Sequence, residues 1–227
     1  KRTHKNYHQQ KIHQLASATS IRNIIYNEKE KFDQIENLVP QASWEILKQN
    51  FKKGRIPINK NQLGTILLSK IRQMKISELK QYAEINNGLE NRIYEAAFNS
   101  GSLNQLIKNI NTKAYTKTRI ERNLLHILFE LTAKQFHIID QHAPQYVRVL
   151  GFNSQGERIL SQISSNSTLP IITQPAQYLK SINKNSSDPL KRQLSFDLIA
   201  SDIYTLLYHE PKLRQGHLDY YHPLIKI

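Results

Sequence analysis

Apolar residues recur at every third or fourth position in a succession of short segments between residues 42 and 131. That spacing places them on one side of a helix, where they form a stripe that a neighbouring element has to cover. Turn-forming residues separate the segments, among them Gly54 and the pair Asn87-Gly88. The pattern predicts a module of short helices packed through their stripes, and the segments are residues 42–53, 59–74, 76–85, 89–98, 103–110 and 116–131.

The pattern changes near residue 144. Residues 146–152 are typical of a strand, residues 155–163 of a short helix, and residues 169–173 of a second strand. A strand, a helix and a strand in this order predict a small parallel pair, because parallel strands need a long crossover connection. Asp188 and Pro189 then predict the start of a long helix, as its cap and its first-turn residue.

Together these patterns predict an α+β fold that is mainly α-helical, with a helical module followed by a small α/β unit. A length of 227 residues with 39% hydrophobic content is sufficient for a sizeable core. We place the boundaries so that residues 1–40, 41–143 and 144–227 form three parts.

The chain is strongly basic: 32 lysines and arginines against 18 aspartates and glutamates give a formal net charge of +14 and a pI near 9.8. Such a surplus favours encounters with a polyanion, so RNA or DNA is the first candidate partner. The alternative is a protein that is merely basic, since charge indicates a class of partner and not a fold. No apolar run approaches the roughly 20 residues of a membrane span, so we expect no membrane partner, and the absence of cysteine makes the reducing cytoplasm the expected location.

Three hydroxyls and a guanidinium lie at the predicted start of a helix, in the block Ser17-Ala18-Thr19-Ser20-Ile21-Arg22. Ser17 is a good N-cap, and the unpaired amides of a helix start attract an anion. Arg22 adds a planar, permanently charged donor one turn later. We interpret this block as a phosphate-binding site; the alternative is an ordinary capped helix with a solvated arginine.

A second candidate surface follows Lys113. On a helix, Tyr115, Arg119 and Arg122 fall on one face, at spacings of four and three residues. A face with cations and an aromatic ring is suited to gripping phosphates and stacking on an unpaired base. The alternative is a solvated helix start with capping threonines. Arg148, together with the lysines and the arginine of residues 180–192, would extend the same surface.

No other pattern in the sequence forms a complete active site. The histidines of the first 13 residues and of the tail come without the carboxylates or thiolates of a zinc site, so no metal ligand is predicted. A glycine-rich phosphate loop, a nucleophile elbow and a pair of catalytic carboxylates are also missing, so the catalytic residues are unknown. Because the sequence opens on Lys1 without a methionine, we expect it to be part of a longer protein.

Five blocks, in the same order along the chain, resemble those of the bacterial tRNA(Met) cytidine acetate ligases. The blocks are Arg2 with Tyr7-His8, Ser17 to Arg22, Gly88-Leu89-Glu90 with Arg92, Thr112-Lys113 to Tyr115-Thr116 with Arg119 and Arg122, and Tyr146 with Arg148 and Gly151. Gln9 and Ala114 depart from the residues usual in the family. An ordered set of blocks is far more specific than any single block.

The resemblance implies an enzyme that uses ATP, with Mg²⁺, to activate acetate as acetyl-adenylate. The acetyl group then passes to the wobble cytidine of elongator tRNA(Met), which gives N4-acetylcytidine. The implied ATP contacts are Arg2, Thr3, Ser17, Thr19 and Arg22. A Rossmann-like nucleotide domain is expected upstream and is largely absent here, so that residues 1–40 are its remnant.

The implied tRNA contacts are Lys113, Tyr115, Arg119, Arg122 and Arg148. In this interpretation the chain is the carboxyl-terminal portion of the ligase and is inactive by itself. Two other interpretations stay open, namely a stand-alone RNA-binding module without catalysis and a part of a nucleotidyltransferase for a small metabolite. The sequence leaves the oligomeric state undetermined.

Overall fold

The computed structural model describes residues 16–226, so the predicted ATP contacts Arg2 and Thr3 lie outside the described residues. This part of the chain is mainly helical with very short parallel strand pairs, in agreement with the predicted α+β class. The α-helices are α1 (Ala18–Asn27), α2 (Gln41–Lys52), α3 (Lys60–Arg72), α4 (Ile76–Leu79), α5 (Leu89–Phe98), α6 (Leu103–Ile110), α7 (Lys117–Phe129), α8 (Ala133–His142), α9 (Ser154–Asn166), α10 (Pro189–Thr205) and α11 (Leu218–Tyr221). The strands are β1 (Val147–Arg148), β2 (Gly151–Phe152), β3 (Ile171–Ile172) and β4 (Ile225–Lys226), and 3-10 helices cover Lys29–Leu38, Pro175–Gln177 and Pro211–Leu213. Within residues 16–226, no helix combines the length and the apolarity needed to span a bilayer.

The first of two compact units contains the described residues up to Ile58, together with Tyr208–Leu213. Its core brings α1, the first 3-10 helix and α2 together around Phe32, whose ring stacks on Phe51 at 4.1 Å between centroids and lies 5.3 Å from Trp44. Because α2 contributes Trp44 to this core, the first unit extends to residue 58, beyond the boundary at residue 40 that the sequence predicts.

The second unit is built around helices α3, α5, α6 and α7, whose apolar stripes meet as the periodicity predicts. Ile71, Ile93, Ile110 and Ile127 are completely buried at this junction. Gly64 lets α3 approach α6 closely, because a Cβ atom at this position would lie only 2.6 Å from the backbone nitrogen of Leu103.

Helices α5 and α6 have the predicted bounds, whereas the segment predicted as a helix over residues 76–85 is helical only in α4. The backbone turns away because it pairs with the chain after α7: Tyr82 forms an antiparallel bridge with Thr132, and the Ala83 amide donates to the Leu131 carbonyl at 3.0 Å. Helix α8 follows at once and was not predicted from the sequence.

The region after residue 144 contains the predicted parallel pair, formed by β1 and β3 with Val147 opposite Ile171. Asp188 caps α10 as predicted, since its carboxylate accepts from the amides of Leu190 and Lys191. A second parallel pair joins β2 to β4, the strand at the end of the described chain, which the sequence did not predict.

Glu130 connects three separate segments of the second unit. It follows α7 in the left-handed conformation (φ 54°), and its carboxylate pairs with Lys70 of α3 at 2.5 Å and with Lys184. These two ammonium groups lower the pKa of the Glu130 carboxyl from 4.5 to about 2. The loop around Lys184 is therefore anchored to the helical core.

Candidate functional site

The hydroxyl-rich block forms the start of α1, as the sequence predicts. Ser17 is the N-cap, and its Oγ accepts from the Ser20 amide at 3.1 Å. Thr19 and Arg22 are exposed, and the first turn contains no acidic residue. The helix start is thus chemically compatible with an anion.

Tyr115 lies just before α7, and contacts within the protein occupy it on two sides. Its hydroxyl donates to the backbone carbonyl of Asn87 at 2.7 Å, and the guanidinium carbon of Arg119 lies 5.3 Å from its ring centroid. The ring also packs against the helical core. Thr116 is the N-cap of α7, but its side chain makes no capping hydrogen bond. Tyr115 is partly exposed, and these contacts engage both its hydroxyl and its ring.

Arg122 faces a carboxylate from a distant part of the sequence. Its Nε donates to Oε2 of Glu84 at 2.7 Å, and one of its terminal nitrogens donates to Oε1 at 3.1 Å. The side chains remain 56% and 34% exposed, respectively. A paired fork of this kind also fits two oxygens of a phosphate.

The buried side of α7 holds the segment that carries Glu84. Asn123 donates from Nδ2 to the Glu84 carbonyl at 3.1 Å, and Nδ1 of His126 lies 2.9 Å from the Ala83 carbonyl. Both side chains are buried. The Tyr115 hydroxyl, just before α7, binds the Asn87 carbonyl in the same segment. Three side chains in or next to α7 therefore contact backbone carbonyls of residues 83–87.

Arg148 does not present a free guanidinium. It makes a forked ion pair with the Asp219 carboxylate at 2.9 and 2.6 Å, and its side chain is only 18% exposed. Ser201 donates to the same carboxylate at 2.9 Å. Beside it, burial and the neighbouring Asp197 carboxylate raise the pKa of Tyr146. Arg148 therefore joins β1 to α11, and little of it is left for an external ligand.

Lys113 and Arg119 are the predicted contacts that pair with no carboxylate among residues 16–226. In the other basic group, Lys184 pairs with Glu130, Lys191 lies 3.9 Å from Asp188, and Arg192 donates to the Ser186 carbonyl. Lys180 of the same group is exposed and pairs with no carboxylate among the described residues. Both basic regions therefore keep at least one cation without a carboxylate partner in the described part of the chain.

In the part of the chain that the structure describes, no group of three or more histidine, cysteine, aspartate or glutamate side chains could hold a metal ion. Sequence reasoning missed Glu84, Asn123 and His126. The available signals were the turn pair Asn87-Gly88 and two polar residues three positions apart on the apolar side of α7. Neither signal reveals which carbonyls the side chains bind.

The chain belongs to the HIGH nucleotidyl transferase family, whose model matches residues 1–219. It is 42% identical over 227 residues to the tRNA(Met) cytidine acetate ligase of Halothermothrix orenii, with 100% of this chain and 53% of the relative covered. The ligase of Acetivibrio thermocellus is 36% identical over 221 residues, with 95% and 52% covered. These matches confirm the resemblance recognised in the sequence.

Among solved structures, the chain resembles the crystal structure of Thermotoga maritima TmcAL bound with alpha-thio ATP. The TM-score is 0.83 at 27% identity, with 94% of this chain and 52% of that chain covered. The apo form of the same protein gives a TM-score of 0.85 at 26% identity, with 97% and 53% covered. The chain spans about half the length of the relatives that it matches.

Proposed function

We propose that this chain is part of an ATP-dependent ligase that activates acetate as acetyl-adenylate and acetylates the wobble cytidine of elongator tRNA(Met) to N4-acetylcytidine. The observation that carries the proposal is the match of 95% to 100% of this chain to about half the length of relatives named tRNA(Met) cytidine acetate ligase. The alpha-thio ATP bound to the similar Thermotoga maritima protein supports a nucleotide substrate. The reducing cytoplasm, where tRNA is modified, is the proposed location.

On the nucleotide side, we assign Ser17, Thr19 and Arg22 to the phosphates, together with Arg2 and Thr3 from the amino-terminal segment. Adenylation transfers charge to the departing pyrophosphate, and a guanidinium beside a helix start stabilises that charge. Magnesium would neutralise further phosphate charge. Phosphate oxygens of the nucleotide and water are its proposed ligands.

On the RNA side, Lys113, Arg119 and Arg122 are the proposed phosphate contacts, and Tyr115 holds Arg119 in place through its ring. Acetyl transfer requires the N4 amine of the cytidine to be aligned with the mixed anhydride, so a helical module that holds the anticodon arm serves the second step. Of the predicted tRNA contacts, Arg148 is the least available to RNA, because it already pairs with Asp219. Residues 1–40 remain assigned to the remnant of the nucleotide domain, residues 41–143 to the helical module and residues 144–227 to the small α/β unit.

Titration of elongator tRNA(Met) at several salt concentrations tests the RNA-binding part of the proposal. Each phosphate contact releases about one counterion, so replacing Arg119 and Arg122 with glutamine lowers the slope of log affinity against log salt by about 1 to 2 units. A variant with Lys52→Gln and Lys53→Gln, two exposed lysines of the first compact unit, removes the same charge and serves as the control. An equal slope in the two double variants would place the RNA surface elsewhere.

A further inference from the structure

Glu84 occupies the place on Arg122 that an RNA phosphate would take. The carboxylate binds both arms of the guanidinium fork, at 2.7 Å to Nε and 3.1 Å to the terminal nitrogen. Two oxygens on one fork reproduce the way in which arginine binds phosphate. Because more than half of the Arg122 side chain and a third of that of Glu84 are exposed, a solvent anion has access to the pair.

The position of Glu84 does not depend on Arg122 alone. Its backbone has φ 59°, an uncommon conformation for a residue with a Cβ atom. Asn123 binds the Glu84 carbonyl, and His126 binds the carbonyl before it. These buried contacts fix the backbone, so they keep Glu84 beside Arg122 independently of the ion pair.

The neighbouring cation on the same helix, Arg119, has no carboxylate partner among the described residues. It lies one turn before Arg122 on α7 and rests on the Tyr115 ring. One face of a single helix therefore presents one available guanidinium and one that is already neutralised.

We propose that Glu84 is an internal phosphate mimic, which an RNA phosphate displaces from Arg122 when tRNA binds. The inference rests on the function proposed above and adds a specificity-determining residue to it. Arg119 and Lys113 attract the RNA at first, and Arg122 joins only when a phosphate competes successfully with the carboxylate. A loosely bound polyanion that cannot place a phosphate at this point gains nothing from Arg122.

The displacement has a measurable consequence. Binding to the wild-type chain includes the loss of the Glu84–Arg122 pair, and the carboxylate that is released attracts a cation from solution. When the Glu84 carboxylate is removed, Arg122 contacts the phosphate without the loss of an ion pair. Removing Glu84 should therefore both tighten binding and steepen its salt dependence, whereas a residue that merely orients Arg122 would weaken binding when removed.

Elongator tRNA(Met) is titrated against wild type, Glu84→Gln and the control Glu121→Gln. The control removes an exposed carboxylate next to Arg122 in sequence, which lies 3.9 Å from Lys117 and so also forms an exposed ion pair. From the usual strength of an exposed ion pair, we expect Glu84→Gln to bind about two- to fivefold tighter than the control. Its salt slope should be steeper by about 1 unit, for one additional phosphate contact. Glu84→Asn also lacks the carboxylate, and asparagine tolerates positive φ. It should show the same tighter binding and steeper salt slope as Glu84→Gln, with thermal unfolding as the check that the variant is folded.

A double-mutant cycle separates displacement from simple charge removal. Arg122→Gln should reduce affinity more in the Glu84→Gln background than in wild type, because only the wild-type chain gives up an ion pair when Arg122 binds phosphate. Affinity of both Glu84 variants at or below that of Glu121→Gln overturns the inference while the proposed RNA binding stands. If wild type does not bind tRNA at all, both proposals are overturned.

Discussion

Gly64 provides a direct test of the helical module, through the substitution Gly64→Ala. In an exposed helix, alanine is more stable than glycine by about 1 kcal/mol. Here, however, the new Cβ atom would lie 2.6 Å from the Leu103 nitrogen and 3.1 Å from the Leu103 Cβ atom. Since ordinary contact begins near 3.4 Å, α3 and α6 would have to separate by about 0.8 Å, the difference between 3.4 and 2.6.

Overpacking of this kind costs about 1 to 3 kcal/mol, and the upper end applies because the opposing atom belongs to the backbone. After the gain in helix propensity, the free energy of unfolding should fall by about 1 to 2 kcal/mol, which lowers Tm by about 2 to 8 °C in a chain of this size. Urea titration and thermal unfolding by circular dichroism measure both quantities.

Gly101→Ala is the matched control. Its Cβ atom would meet only the end of the Gln105 side chain, at 3.6 Å. A change within about 0.5 kcal/mol is expected there. If Gly64→Ala is as stable as wild type or more stable, helices α3 and α6 do not approach each other as closely as described, and the argument is wrong.

Four further predictions concern the core, the loop and the nucleotide side. Because the pKa of Glu130 lies below its ordinary value, its stabilisation is complete above pH 4.5 and is lost as pH falls toward about 2. The Glu130 side chain is about half exposed, so Glu130→Gln should lower the free energy of unfolding at pH 7 by about 1 kcal/mol. Urea titrations should show that this difference between the variant and wild type is smaller at pH 3. A difference that grows in acid would contradict the ion-pair cluster. Tyr115→Phe removes the donor to the Asn87 carbonyl and should destabilise the chain by about 0.5 to 1 kcal/mol in thermal unfolding, whereas an unchanged Tm would show that the hydroxyl is not engaged. In the complete enzyme proposed above, Arg22→Lys keeps the charge but loses the planar fork, so acetate-dependent ATP–pyrophosphate exchange should fall while Tm is retained; loss of Tm with intact exchange would make Arg22 a structural residue. The chain alone should show only background exchange, and robust turnover would refute its proposed role as one part of the ligase.

The sequence by itself determined the features that depend on neighbours within a few turns. Helices α5 and α6, the Ser17 and Asp188 caps and the parallel strand pair follow from periodicity, capping chemistry and connection length, all of which are local. The ordered blocks of residues also indicated the family, and the comparisons confirm it.

The tertiary structure decided which charges are available. The sequence predicts Arg122 and Arg148 to be surface cations that are free to bind RNA. In the structure they pair with Glu84 and Asp219, which lie 38 and 71 residues away along the chain. Helical spacing shows which face a side chain occupies but carries no information on what another segment places opposite it. Long-range pairing, set by the packing of complete elements, thus separates the available guanidinium of Arg119 from the two that the protein already neutralises.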